Sequence, residues 1–215
     1  MNFLKRILKL GKMQDKKCVI LLLGVQRSGT NAIRRSLEND KLILSINESI
    51  SNDFFKDWLL KPKSEYENKI NGLHNVTLLL KPVQETRKRN IISIMNDFSE
   101  YKTTILWPFR NPINVYYSQK IKKDRSVYEF LNDWINRNSD AIKYSENNNN
   151  IIFIPYEKLI NDKEYFASLC VKINVNGKFM FKQDSKKGEL NLNNKIKNEI
   201  TKRTQEIYSK LYDLS

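Results

Sequence analysis

A chain of 215 residues and 25.5 kDa, with 40% hydrophobic and 11% aromatic residues, can bury one good core, so a single domain over 1–215 is expected. Two distant cysteines, Cys18 and Cys170, exclude a disulfide framework or cysteine-rich zinc site and fit a reducing, cytoplasmic compartment, while the longest apolar run, 19–25, is too short to span a bilayer. Thirty-eight Lys and Arg against 24 Asp and Glu leave a formal +14, which attracts anions without choosing among nucleic acid, acidic lipid, acidic polysaccharide and a polyanionic nucleotide; solubility alone is the plainer explanation.

In chain order, residues 1–15 form a basic amphipathic extension in which Phe3, Leu4, Ile7, Leu8 and Leu10 alternate with Lys5, Arg6, Lys9 and Lys12. Such a helix either docks on the domain or touches the inner face of a membrane through residues 2–12. Short aliphatic runs predict strands at 18–25, 42–46, 76–80, 104–109 and 151–154. Helical patterns fall between and around them at 30–39, 52–60, 85–99, 112–122 and 127–146. That alternation predicts an α/β fold, three αβα layers around a central parallel sheet of about five strands. The asparagine run 147–150 reads as a loop, and the polar stretch 178–194 as a surface loop or lid.

The first strand runs into LLLGVQRSGTNAIRRSL, residues 21–37. Gly24 permits the turn, Gly29 lets a ligand approach the backbone, and the next helix offers unpaired N–H groups and its positive dipole end. The loop is P-loop-like, but Thr30 stands where a nucleotide triphosphatase has lysine and the cation is Arg27, inside the loop. Ser28, Thr30 and Asn31 add side-chain donors. An ordinary capped turn is the plainer alternative. A second anion site comes from ILWPFRNPINVYYSQ, residues 105–119, where Arg110 ends a strand, Pro112 opens a helix and Ser118 follows two turns on. Arg110 and Ser118 can hold a second phosphate, or cap a strand end and stand by chance.

Together these stretches resemble the sulfotransferase superfamily, whose sulfuryl donor is 3′-phosphoadenosine 5′-phosphosulfate (PAPS). The resemblance covers about residues 18–175. It implies a P-loop-NTPase-like fold in which Arg27, Ser28, Gly29, Thr30 and Asn31 hold the 5′-phosphosulfate. Arg110 and Ser118 would hold the 3′-phosphate, and FIPYEKLI, residues 153–160, would bring Tyr156 near the adenine. KKG at 186–188 is similar to a late basic contact of some members, which implies a 3′-phosphate role for Lys187 and Gly188. No metal is implied, since a sulfuryl group carries less negative charge than a terminal phosphoryl group and cationic donors suffice. Arg27 can stabilise charge on the bridging oxygen as 3′-phosphoadenosine 5′-phosphate (PAP) leaves.

Transfer to a hydroxyl or amine also needs a base. His74, the one histidine, precedes the third strand rather than following it as in phenol-type members. SINESISNDFF, residues 45–55, instead resembles heparan-type members and implies Glu48 as base, with a helix-capping or solvated carboxylate equally open. Lys81 and Glu85 are the reserve candidates, with Lys81 able to pair with the transferring sulfonate. The expected acceptor is a hydroxylated molecule, a carbohydrate foremost and an anionic glycan as one form; no specific nucleic acid is expected. The competing classes are a P-loop nucleotide or small-molecule kinase and a non-catalytic basic polyanion-binding protein.

Overall fold

The computed structural model describes residues 17–47, 54, 55, 58, 63–72, 76–82, 85–181 and 192–215. Five strands, β1 (Cys18–Leu22), β2 (Ile43–Asn47), β3 (Thr77–Lys81), β4 (Lys102–Phe109) and β5 (Ile151–Pro155), form one parallel sheet in the order β2-β3-β1-β4-β5. The helices are α1 (Thr30–Leu37), α2 (Lys63–Asn71), α3 (Ile91–Asn96), α4 (Pro112–Lys123), α5 (Val127–Ser145), α6 (Tyr156–Asn161), α7 (Lys163–Lys172) and α8 (Asn194–Asp213).

Strands this apolar are stable only if both faces are covered. Val19, Leu21 and Leu23 point into one core layer, with Ile91, Val115, Phe130, Trp134, Ile200 and Leu211 of α3, α4, α5 and α8. Ile20 and Leu22 point into the other, with Ile33 and Leu37 of α1, Leu159 of α6, and Phe166 and Leu169 of α7. The period-two alternation of β1 thus gives the three expected layers. A polar bond crosses the first layer, where the buried Trp107 indole donates to Asn138 Oδ1 at 3.0 Å.

The connections place the site. The chain leaves β1 for α1 on one face of the sheet and leaves its neighbour β4 for α4 on the other. A cleft opens where adjacent strands send their helices to opposite faces, at their carboxyl ends.

Some local expectations need correction. The helix expected over 85–99 divides into a 3₁₀ turn, Glu85–Arg87, and α3, because Asn90 turns extended (φ −74°, ψ 164°) and its side chain accepts from Ser93 N–H. β1 stops at Leu22, since Gly24 (φ 132°) begins the turn. Four helices, α2, α6, α7 and α8, lie outside the predicted set. Residues 178–181 of the polar stretch are packed rather than free: the Phe179 and Phe181 rings meet Phe166 edge-on at 5.8 and 5.4 Å. The extension 1–15, His74 and most of 182–194 lie outside the described residues. No described helix is long and apolar enough to cross a membrane.

Candidate functional site

The candidate side chains of the described site gather at the carboxyl ends of the strands and in the loops and helices that follow them. β1 continues into the loop 23–29, whose backbone takes left-handed φ values at Gly24 (132°), Arg27 (77°) and Gly29 (100°). For arginine that conformation carries strain, of order 1–2 kcal/mol, and it persists only because the surroundings hold it. Two consecutive residues of α4 do so. Arg27 Nε donates to Ser118 Oγ at 3.0 Å, and Gln119 Nε2 donates to the Gln26 carbonyl at 2.8 Å. Among the described residues, the terminal nitrogens of Arg27 have no hydrogen-bond partner.

At the head of α1, Gly29 is the N-cap and no side chain caps the first turn. Ser28 Oγ is buried there without a hydrogen-bond partner, Thr30 is buried, and Asn31 is exposed in the first turn. A buried orphan hydroxyl beside an uncapped helix terminus is what an oxygen-rich anion satisfies. The phosphosulfate end of PAPS fits these groups.

The two neighbours of β1 end in cations. Lys81 closes β3, buried and opposite Asn47 in register. Arg110 follows β4 directly. The register pairs Phe109 with Pro155, which brings Arg110 beside Tyr156: its guanidinium lies over the Tyr156 ring, 5.1 Å from the centroid. The ring also fills the space next to Gly29, where an added Cβ would come within 2.1 Å of Tyr156 Cδ2. Tyr156 therefore joins the second strand end to the glycine loop. Glu157 fixes the other side, accepting from Asn111 N–H at 2.9 Å and lying 3.9 Å from Arg110 Nε. Asn111 in turn caps α4 by accepting from Ile113 N–H at 3.0 Å, ahead of Pro112 at the first helical position.

Of the residues singled out in the sequence, Arg27 and Ser118 are joined by a hydrogen bond, and Arg110, Tyr156 and Gly29 are brought together at the same ends of the strands, next to Ser28 and Thr30, with Lys81 ending the strand on the far side of β1. The contact differs from the expected pairing in one respect. Ser118 meets the loop cation Arg27, and Arg110 stacks on Tyr156. Glu48, Lys187 and Gly188 lie outside the described residues. Glu85 is buried and paired with Lys88 at 3.1 Å.

Sequence reasoning missed the support behind Gln119. Arg125 Nη1 donates to Gln119 Oε1 at 2.7 Å and to Asp133 Oδ2 at 2.9 Å, while Arg137 Nε also donates to Asp133. Burial alone would raise the Asp133 pKa, but Arg137 and then Arg125 outweigh it and hold that carboxyl below its ordinary value. Burial lowers the Arg137 pKa, against the pull of Asp133. The result is a charged chain from α5 through Gln119 to the backbone of the loop. Its only trace in the sequence is the glutamine directly after Ser118. Among the described residues, no three His, Cys, Asp or Glu side chains gather into a metal-binding group.

No family model matches the chain, and no curated protein matches it. Solved structures do, two sulfotransferases among them. A sulfotransferase from Alicyclobacillus acidocaldarius superposes with TM-score 0.62 at 15% identity, over 92% of this chain and 95% of that one. The sulfotransferase domain of the Synechococcus PCC 7002 olefin synthase superposes with TM-score 0.57 at 13% identity, over 77% of this chain and 76% of that one. With the parallel five-stranded sheet and the glycine loop at its switch point, these superpositions establish that the chain has the sulfotransferase fold.

Proposed function

We propose that the chain is a sulfotransferase that moves the sulfuryl group of PAPS to the hydroxyl, or amine, of an acceptor, with a carbohydrate as the first choice. The observation that carries this reading is the 3.0 Å bond from Arg27 to Ser118, which joins the glycine loop to the helix that follows Arg110. Two arginines, Arg27 and Arg110, at the ends of adjacent strands suit a nucleotide with phosphate at both ends better than a triphosphate. The donor supplies the sulfuryl group and departs as PAP. Ser28 and the head of α1 bind its 5′ end, Arg110 its 3′-phosphate, and Tyr156 orients Arg110. Arg27 donates to the bridging oxygen as the bond to sulfur breaks and a new bond to the acceptor oxygen forms. Lys81 neutralises the sulfonate. Glu48 takes the acceptor's proton, and Lys187 and Gly188 contact the 3′-phosphate. A kinase reading is less favoured, because the position of the phosphate-binding lysine holds the buried Thr30.

Two experiments test this. At a concentration 100 times its dissociation constant, PAP should stabilise the protein by about 2.7 kcal/mol, a rise of roughly 5–10 °C in a thermal melt, with AMP at the same concentration giving a small fraction of that. Equal shifts would remove the argument for a second phosphate site. Glu48→Gln should abolish transfer, measured with labelled donor, while leaving PAP affinity unchanged; an active variant places the base elsewhere.

A further inference from the structure

A cavity borders the same loop, lined by none of the residues proposed to bind the donor. Its volume is about 590 Å³, within the ordinary range for a small-molecule site. Gln26 and Gln119 are among the residues that line it, and these are the chain neighbours of Arg27 and Ser118. A molecule seated there lies against Gln26, one position from the loop cation in the chain.

The charges around the cavity are unequally engaged. Arg125 is occupied by Asp133, by Gln119 and by the Glu129 carbonyl at 3.2 Å. The Glu129 carboxylate is held in the cap of α5, where Ser126 Oγ donates to it at 2.9 Å. Arg87 is different: it is exposed on the rim and, among the described residues, forms no ion pair. The like charge of Arg137 is close enough for the two guanidiniums to oppose each other. Asp124 provides the remaining acidic group, and Tyr128, 68% exposed, offers an open aromatic face.

Resting on the sulfotransferase reading, we propose that this cavity is the acceptor subsite and that Arg87 selects a hydroxylated acceptor carrying a carboxylate or sulfate. A neutral polyol can use Asp124 and the ring of Tyr128. An acidic sugar gains a charge-assisted bond to Arg87 as well.

The test is calorimetric, on the full chain saturated with PAP at low ionic strength. The probes are a glucuronate-containing disaccharide and its neutral glucose-containing counterpart. The acidic probe should bind about tenfold more tightly. Arg87→Ala should bring the two within about twofold, Arg87→Lys should keep part of the preference, and neither should alter PAP affinity. Added salt should narrow the gap, since the guanidinium is exposed. Equal binding of both probes, no binding of either, or a preference that survives Arg87→Ala would overturn the assignment. If PAP still binds more tightly than AMP in those cases, only the acceptor subsite is lost; if PAP fails as well, the donor reading falls with it.

Discussion

Arg27→Ala is expected to reduce turnover by about two to three orders of magnitude while weakening PAP binding by less than about tenfold. The Nε of Arg27 is occupied by Ser118, and its terminal nitrogens are left for a ligand. A donor held in advance costs no reorganisation when charge develops, so its contribution is largest in the transition state. In the proposed donor site the side chain is also one of several binding groups in the ground state, with Ser28, Arg110 and the head of α1 remaining after its loss. Comparing kcat with the PAP dissociation constant separates the two contributions. If affinity falls as far as turnover, Arg27 merely binds. Arg27→Gly sharpens the comparison, because it also relieves the left-handed backbone at φ 77°. Its melting temperature should match or exceed that of Arg27→Ala while its activity is equally poor, so stability and catalysis are expected to move apart.

Gly29→Ala should be the most damaging small substitution in the loop. The backbone there has φ 100°, and the new methyl would lie 2.1 Å from Tyr156 Cδ2 and 2.3 Å from Cε2. A ring stacked under a guanidinium cannot simply swing away. We expect a loss of about 2–4 kcal/mol, a fall of roughly 5–15 °C in melting temperature, and loss of the PAP-induced shift. Tyr156→Ala in the same chain removes the collision and keeps the backbone strain. The double variant should therefore lose less than the sum of the singles. Strict additivity would show that the clash contributes nothing. Gly24→Ala is a milder comparison, since its methyl meets the Pro108 carbonyl at 3.2 Å with φ 132°.

The parts legible in the sequence were those governed by local rules. Strands β1, β3, β4 and β5 announced themselves as aliphatic runs because both of their faces are covered, whereas the edge strand β2 leaves Leu44 exposed; Gly24 and Gly29 marked the turn because both adopt left-handed φ values. Helix α8 was not predicted although Ile196, Ile200, Ile207 and Leu211 recur at helical spacing with Asn193 as cap; the charged residues that separate them dilute the apolar periodicity. Helix α6 begins at Tyr156 directly after β5, with Pro155 as its N-cap and no connecting loop to signal a change. The chain of contacts from Asp133 to Gln119 could not be read locally. It exists only because Asp124 takes a left-handed conformation (φ 40°, ψ 50°) that folds α5 back on α4, bringing Arg125 against residues six before and eight after it. The pairing of Ser118 with Arg27 spans 91 positions and likewise depends on β1 and β4 lying side by side.

Helix α8 also bears on the order of assembly. Its Tyr208 and Tyr212 rings meet Phe109 edge-on at 5.9 and 5.0 Å, roofing the last residue of β4 just before Arg110. During synthesis every strand of the sheet emerges before that roof does. A nascent chain that has produced all five strands still presents Phe109 to water, and the turn that aims Arg110 lacks its backing. The backing of the strand end that leads into Arg110 is thus completed only once residues near 212 have been made.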